Sequence, residues 1–151
     1  MSDPRYALLI VGERRSRLAI ARGASWERGG QCATTLRAAL AACGIDPARV
    51  AFRNIFEELG QEARTDSPEP PLVVDRAALA VVRASQAQGL AIVALGRRVE
   101  ATLLGADVPC RYLPHPAARG RVRRREAYRA LVAAVIAAAV EDGPNRLLME
   151  N

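Results

Sequence analysis

The apolar run at residues 6–11, Tyr-Ala-Leu-Leu-Ile-Val, constrains the fold of this chain more than any other feature. It has no polar alternation and it stops at Gly12, which is typical of a strand buried on both faces in a parallel sheet. Further short apolar runs predict strands at residues 50–54, 90–95 and 108–113. Because segments with helical spacing separate these runs, we predict an α/β fold. It is a three-layer α/β/α sandwich around a central four-stranded parallel sheet.

The segments between and after these strands have helical spacing at residues 31–43, 75–88, 97–104 and 123–140. Gly44 stands where a C-cap glycine belongs. The last helix has an apolar stripe formed by Tyr128, Leu131, Val132, Val135, Ile136 and Ala139. Between Glu13 and Gly30 we predict a polar loop, and residues 60–71 form an irregular, proline-rich stretch. We expect a single domain over residues 1–151, with a loose tail at 144–151.

Neither a membrane span nor a disulfide framework is indicated. No run of 18 or more apolar residues occurs, and the N-terminus has no secretory signal pattern. The three cysteines, Cys32, Cys43 and Cys110, are widely separated. They are more typical of buried thiols than of a disulfide framework or a metal site. We therefore expect a cytoplasmic protein that does not contact membranes and binds no metal.

The distribution of charge favours an anionic partner. The formal net charge is +6, and all 22 basic residues are arginine. Six arginines lie between residues 119 and 129 against one acid, Glu126. Such a cluster suits contacts with phosphates, although it is also compatible with a solvated start of the last helix.

His115 is the only histidine, and it lies between Pro114 and Pro116 just before the arginine cluster. An imidazole readily donates or accepts a proton near neutral pH, and the prolines restrict the backbone around it. The alternative is a chance histidine in a proline turn. Ligands of parallel α/β folds bind beyond the carboxyl ends of the strands, where the loops begin with Glu13, Asn54 and His115. We therefore predict these three side chains at one edge of the sheet.

These loops also carry motifs in a fixed order. Gly12-Glu13 follows the first strand, Asn54 the second, and His115-Pro116-Ala117-Ala118-Arg119 the fourth, while Trp26 lies thirteen residues after Glu13. This ordered set spans roughly residues 8–137. It resembles the uracil-DNA glycosylase superfamily and is most similar to its family four, which has a phenylalanine at the position of Trp26. The resemblance implies a uracil-DNA glycosylase-like fold and a DNA glycosylase activity.

The resemblance also implies roles for the site residues. Gly12, Trp26 and Asn54 would hold a base that has been flipped out of DNA, with Trp26 stacking on the base and Asn54 pairing with its edge. The alternatives are a core or surface indole and a cap of the turn after the second strand. His115 would donate a hydrogen bond to the departing base. Glu13 would orient water and stabilise the cationic sugar, unless it forms a salt bridge with the adjoining arginines.

DNA contacts are implied for the residues around and after the histidine. Ala117, Ala118 and Arg119 would lie against the minor groove, and phosphates would be held by Arg121, Arg123, Arg124 and Arg125. Arg14 and Arg15 replace a small residue and a proline of the family motif, so they would bind flanking phosphates or crowd the pocket. Family four holds an iron–sulfur cluster with four cysteines; three isolated cysteines cannot do so, and we predict no cofactor.

We therefore predict a monomeric, monofunctional DNA glycosylase without lyase activity. It would hydrolyse the N-glycosidic bond of a damaged or modified base, most simply uracil, in DNA base excision. The altered motif at Arg14 and Arg15 leaves open a catalytically weak or inactive member that binds DNA or a base as a sensor. A nucleotide-binding domain unrelated to DNA is a third alternative, which no Walker loop or Gly-x-Gly-x-x-Gly fingerprint supports.

Overall fold

The protein's computed structural model describes residues 8–23, 25–26, 31–59, 70–116 and 125–142. Within these residues the strands are β1 (Leu8–Gly12), β2 (Ala51–Asn54), β3 (Ala91–Leu95) and β4 (Arg111–Leu113). They form an all-parallel sheet with the order β2-β1-β3-β4. The carboxyl ends of the strands therefore lie at the same edge of the sheet.

Helices connect the strands and follow the last one: α1 (Arg17–Ala21), α2 (Gln31–Ala42), α3 (Arg76–Ala87), α4 (Arg97–Gly105) and α5 (Arg125–Asp142). A short 3-10 helix, Pro47–Arg49, precedes β2. Asp75 caps α3 by accepting hydrogen bonds from the N–H groups of Ala77 and Ala78. Just beyond α2, Gly44 has a φ of +81°, as expected for a C-cap glycine.

Alternate residues of the sheet face two separate cores. On one face, Leu8 and Ile10 pack with residues of α2 and α5. On the other face, Leu9 and Val11 pack with residues of α3 and α4. The apolar stripe of α5 faces the first core, where the buried residues are Tyr128, Val132, Ile136 and Ala139. The predicted three-layer α/β/α fold with four parallel strands is confirmed.

Among the described residues, the largest differences from the sequence-based prediction are at α1 and at the start of β4. Helix α1 lies within the stretch predicted as a polar loop, because its 5 residues are too few to show helical periodicity. Its start is marked by Ser16, whose Oγ accepts a hydrogen bond from the Ala19 N–H at 3.1 Å. Strand β4 begins at Arg111 and not at residue 108. Val108 is buried, but its N–H donates to the Leu103 carbonyl at 2.8 Å and so closes α4 instead of extending the sheet.

Candidate functional site

The ends of β1 and β2 meet at the carboxyl edge of the sheet. Gly12 and Asn54 are paired in register, and the pairing continues beyond the strands. The Ile55 N–H donates to the Gly12 carbonyl at 2.9 Å, and the Phe56 N–H donates to the Glu13 carbonyl at 3.1 Å. The backbone of Glu13 is therefore fixed beside the end of β2.

Gly12 lacks a side chain at the point where two neighbouring side chains converge. A Cβ atom at Gly12 would lie 2.7 Å from Cζ of Phe52 and 2.8 Å from Oδ1 of Asn54. Because Cβ atoms do not approach other heavy atoms so closely, only glycine accommodates both side chains in their observed positions. Gly12 and Asn54, both predicted to bind the base, thus lie together.

The turn that carries His115 is hydrogen-bonded to the residue after β3 and to α5. The Gly96 N–H donates to the Leu113 carbonyl at 2.9 Å. The hydroxyl group of Tyr128, which is buried on α5, donates to the Pro114 carbonyl at 2.9 Å. Burial lowers the pKa of His115, and the nearby Glu13 carboxylate opposes this shift in part. His115 and Glu13 are therefore close enough to interact electrostatically.

The strand between these two groups leaves space at the site. Strand β3 lies between β1 and β4 and is followed by Gly96, where an added Cβ would meet nothing within 4 Å. Neighbouring strands lie about 4.8 Å apart, so β1 and β4 are separated by roughly 10 Å. The Glu13 loop and the His115 turn therefore start from strands that are not adjacent in the sheet.

The interaction between Glu13 and His115 leads to a prediction that does not depend on any activity. Removing the carboxylate in Glu13→Gln is expected to lower the pKa of His115 further, because Glu13 is the group that raises it. The chain contains one histidine, so its imidazole proton signals in an NMR titration are unambiguous. An unchanged or raised pKa in Glu13→Gln would contradict the electrostatic interaction between these two groups.

Trp26 is a core residue. It is 9% exposed, and its ring stacks on Phe52 with 4.9 Å between the centroids and 7° between the planes. The Arg37 guanidinium lies 5.5 Å from the indole centroid. This is the core indole that the sequence left as an alternative, and base stacking on Trp26 stays a prediction. The aromatic ring beside Gly12 is Phe52, which the sequence analysis missed; its spacing of two residues from Asn54 in β2 was the available signal.

The two arginines after Glu13 contact other parts of the chain. Arg14 Nη2 donates to the Pro70 carbonyl at 2.8 Å. Arg15 forms a two-point ion pair with Glu58. Arg15 and Glu58 are 43 positions apart in sequence, and no sequence signal identified Glu58. The phosphate contacts predicted for these arginines compete with the contacts that the structure shows.

Much of the predicted DNA-binding surface lies outside the described residues. This is true of Ala117, Ala118, Arg119, Arg121, Arg123 and Arg124. Arg125 begins α5, but its side chain is also outside the description. Their roles, and the predicted tail at residues 144–151, stay predictions.

No cluster of three or more His, Cys, Asp or Glu residues that could hold a metal occurs within the described ranges. Cys43 and Cys110 are free and partly buried, and burial raises the pKa of both thiols, that of Cys110 to about 11. Neither is therefore a reactive thiolate at neutral pH. Among the helices that the structure describes, none has the length and apolar character needed to cross a membrane.

The structure thus brings Gly12, Glu13, Asn54 and His115 to one edge of the sheet, with Phe52 beside them. The Trp26 ring contacts Phe52 of this group. No protein-family model matches the sequence, and no curated protein matches it. A functional interpretation therefore starts from the chemistry of these side chains.

Proposed function

We propose that this protein is a DNA glycosylase, which hydrolyses the N-glycosidic bond of a base flipped out of DNA, with uracil as the simplest substrate. One observation carries the proposal. A carboxylate (Glu13), an amide (Asn54) and an imidazole (His115) follow three strands of one parallel sheet and lie at its carboxyl edge. The motifs that carry these groups are those that resemble the uracil-DNA glycosylase superfamily. The net charge of +6 favours a polyanionic substrate.

His115 acts on the departing base. Hydrolysis breaks the bond between C1′ of the deoxyribose and the base nitrogen, and the bonding electron pair leaves with the base. Because burial lowers the pKa of His115, its imidazole is neutral at neutral pH. It therefore donates a hydrogen bond to the base oxygen as negative charge develops there. A donor already in position before the reaction lowers the barrier to bond cleavage.

Glu13 acts on the sugar side of the same bond. Its carboxylate stabilises the positive charge at C1′ and accepts a proton from the water whose oxygen adds to C1′. The base leaves as an anion and takes up a proton from solvent, while Glu13 releases its proton, so the products are the free base and an abasic site. Strand cleavage by a lyase step uses an amine that forms a Schiff base, and the sequence contains no lysine. We therefore propose a monofunctional enzyme.

Asn54 recognises the base. Its amide offers a donor and an acceptor, which match the O4 and N3–H groups of uracil. The amide oxygen lies beside Gly12 and near the ring of Phe52, which gives the base an apolar neighbour. A base whose edge does not match this donor and acceptor would bind more weakly, because the Asn54 amide would lack hydrogen-bond partners.

The proposal is tested with single-stranded and duplex DNA carrying uracil, hypoxanthine, mismatched thymine or a hypermodified base. We expect release of at least one of these bases and strand breakage only after alkali treatment, which cleaves abasic sites. Matched DNA of normal composition is the control substrate. Failure to release any base in the panel would contradict the proposed activity, and breakage before alkali treatment would contradict the monofunctional mechanism.

A second candidate is a DNA- or base-binding sensor without catalysis. The altered motif favours it, because Arg14 and Arg15 stand where the resembled family has a small residue and a proline. Binding to DNA that weakens steeply with salt is expected for both candidates. Release of a base therefore decides between them.

A further inference from the structure

Arg15 and Glu58 join two loops at the edge of the sheet. Arg15 follows β1 and Glu58 follows β2, and the contacts run from Nε to Oε1 at 2.5 Å and from Nη2 to Oε2 at 3.0 Å. Two parallel contacts are the strong, directional form of an arginine–carboxylate pair. Hydrogen bonding to Arg15 lowers the pKa of Glu58, so this carboxylate is ionised at neutral pH.

Glu58 lies on a firmly held piece of chain. The N–H of Glu57, immediately before it, donates to the Val73 carbonyl at 2.7 Å. Leu59, immediately after it, is buried. The backbone that carries Glu58 is therefore fixed beside the end of β2.

The loop after β1 is thus held at each of its first positions. The carbonyl of Glu13 accepts a hydrogen bond from Phe56, Arg14 donates to Pro70, and Arg15 binds Glu58. A carboxylate that acts on a reacting sugar must be held in a narrow range of positions, since a displacement of about 1 Å can cost on the order of 100-fold in rate. The contacts of this loop supply that restraint.

We propose that Arg15 and Glu58 are positioning residues, whose ion pair holds the β1 loop so that the Glu13 carboxylate stays close to His115. Arg15 serves this role instead of binding DNA phosphate. An arginine that turned from Glu58 to a phosphate would leave the carboxylate beside the DNA backbone, and like charges repel each other. The catalytic part of this inference rests on the proposed function. Its central test does not, because the titration of His115 reports the position of Glu13.

The variants Arg15→Gln and Glu58→Gln change the local charge in opposite directions. Together they therefore distinguish a change in the position of Glu13 from a direct effect of charge on His115. If the ion pair positions Glu13, both variants lower the pKa of His115, because Glu13 is the carboxylate that raises it. If each variant acted only through the charge it removes, the two shifts would be opposite. Loss of the Arg15 positive charge would raise the pKa of His115, and loss of the Glu58 negative charge would lower it. Opposite shifts, or no shift in either variant, would overturn the proposal.

Glu100→Gln is the matched control for this titration. It breaks the ion pair between Arg97 and Glu100, at 3.2 Å on α4. Neither residue belongs to the β1 loop, so the pKa of His115 is expected to stay at its wild-type value. A circular dichroism spectrum of each variant confirms that it is folded.

DNA binding and catalysis give the second measurement. In Arg15→Gln the slope of log affinity against log salt should equal that of the wild type, whereas loss of a phosphate contact would reduce it by about 1. Both glutamine variants should slow base release by on the order of 10- to 100-fold with unchanged KM. The exchanged pair Arg15→Glu/Glu58→Arg should recover part of the rate. If the wild type releases no base, the proposed function fails, while the titration and the salt slope still decide the positioning role.

Discussion

Replacing His115 by alanine is expected to slow release of uracil by on the order of 10²–10³-fold, the usual cost of removing one donor aimed at developing negative charge. The imidazole is held by a turn that bonds to β3 and α5 through Leu113 and Pro114. Since burial lowers the pKa of His115, the lost group is a neutral donor. Single-turnover kinetics on uracil-containing DNA measure the effect on the chemical step.

His115→Gln is the matched variant for this prediction, because its amide keeps a neutral N–H donor on a side chain of similar reach. We expect its rate to lie between those of the wild type and the alanine variant. Affinity for DNA should be the same in all three proteins, since phosphate contacts dominate binding. Equal rates in wild type and His115→Ala would remove His115 from the mechanism, and reduced affinity alone would make it a binding residue.

The sheet was predictable because each strand carries its own local signal. The uninterrupted apolar run that ends at Gly12 can be buried only between two layers of helices, and it became the central strand β1. The first and last residues of the strands and helices were less predictable. Val108 is as apolar as a strand residue, but whether its N–H pairs with β3 or with the end of α4 depends on three-dimensional competition that composition does not encode.

The edge of the sheet was predictable from topology alone. Parallel strands place all their carboxyl ends together, so Glu13, Asn54 and His115 had to lie at the same edge once the strands were correctly assigned. The register of the strands then pairs Gly12 with Asn54. Topology does not predict which side chains contact one another, because these contacts depend on rotamers and on packing.

Contacts between distant residues account for what the sequence did not predict. Any of the 16 acidic residues could in principle pair with Arg15, and only the fold places Glu58 beside it. The role of Trp26 was predicted from its spacing after Glu13, but spacing in the sequence does not show which side chains pack against the indole ring. Phe52, which stacks on it, comes from β2, which lies much later in the chain. The sequence therefore predicted which residues share one edge of the sheet better than which aromatic ring lies beside Gly12.

Gly12→Ala is expected to destabilise the protein and to displace Asn54. The new methyl group would lie 2.7 Å from Cζ of Phe52 and 2.8 Å from Oδ1 of Asn54, so both side chains, or the backbone of β1, must move. Phe52 is stacked on Trp26, so its displacement disturbs the core as well as the amide of Asn54. Overpacking of this kind costs about 1–3 kcal/mol, and each kcal/mol lowers Tm by about 2–4 °C in a chain of this size.

Gly105→Ala provides the control, because a Cβ at this position of α4 would meet nothing within 4 Å. Alanine in a helix is favoured over glycine by up to about 1 kcal/mol, so Tm should stay the same or rise. If the site is the one proposed, Gly12→Ala also loses base release by a larger factor than it loses DNA affinity, since the amide that reads the base has moved. A Gly12→Ala protein with the Tm and rate of the wild type would mean that Phe52 and Asn54 both yield freely, and that the close approach at Gly12 does not define the base pocket.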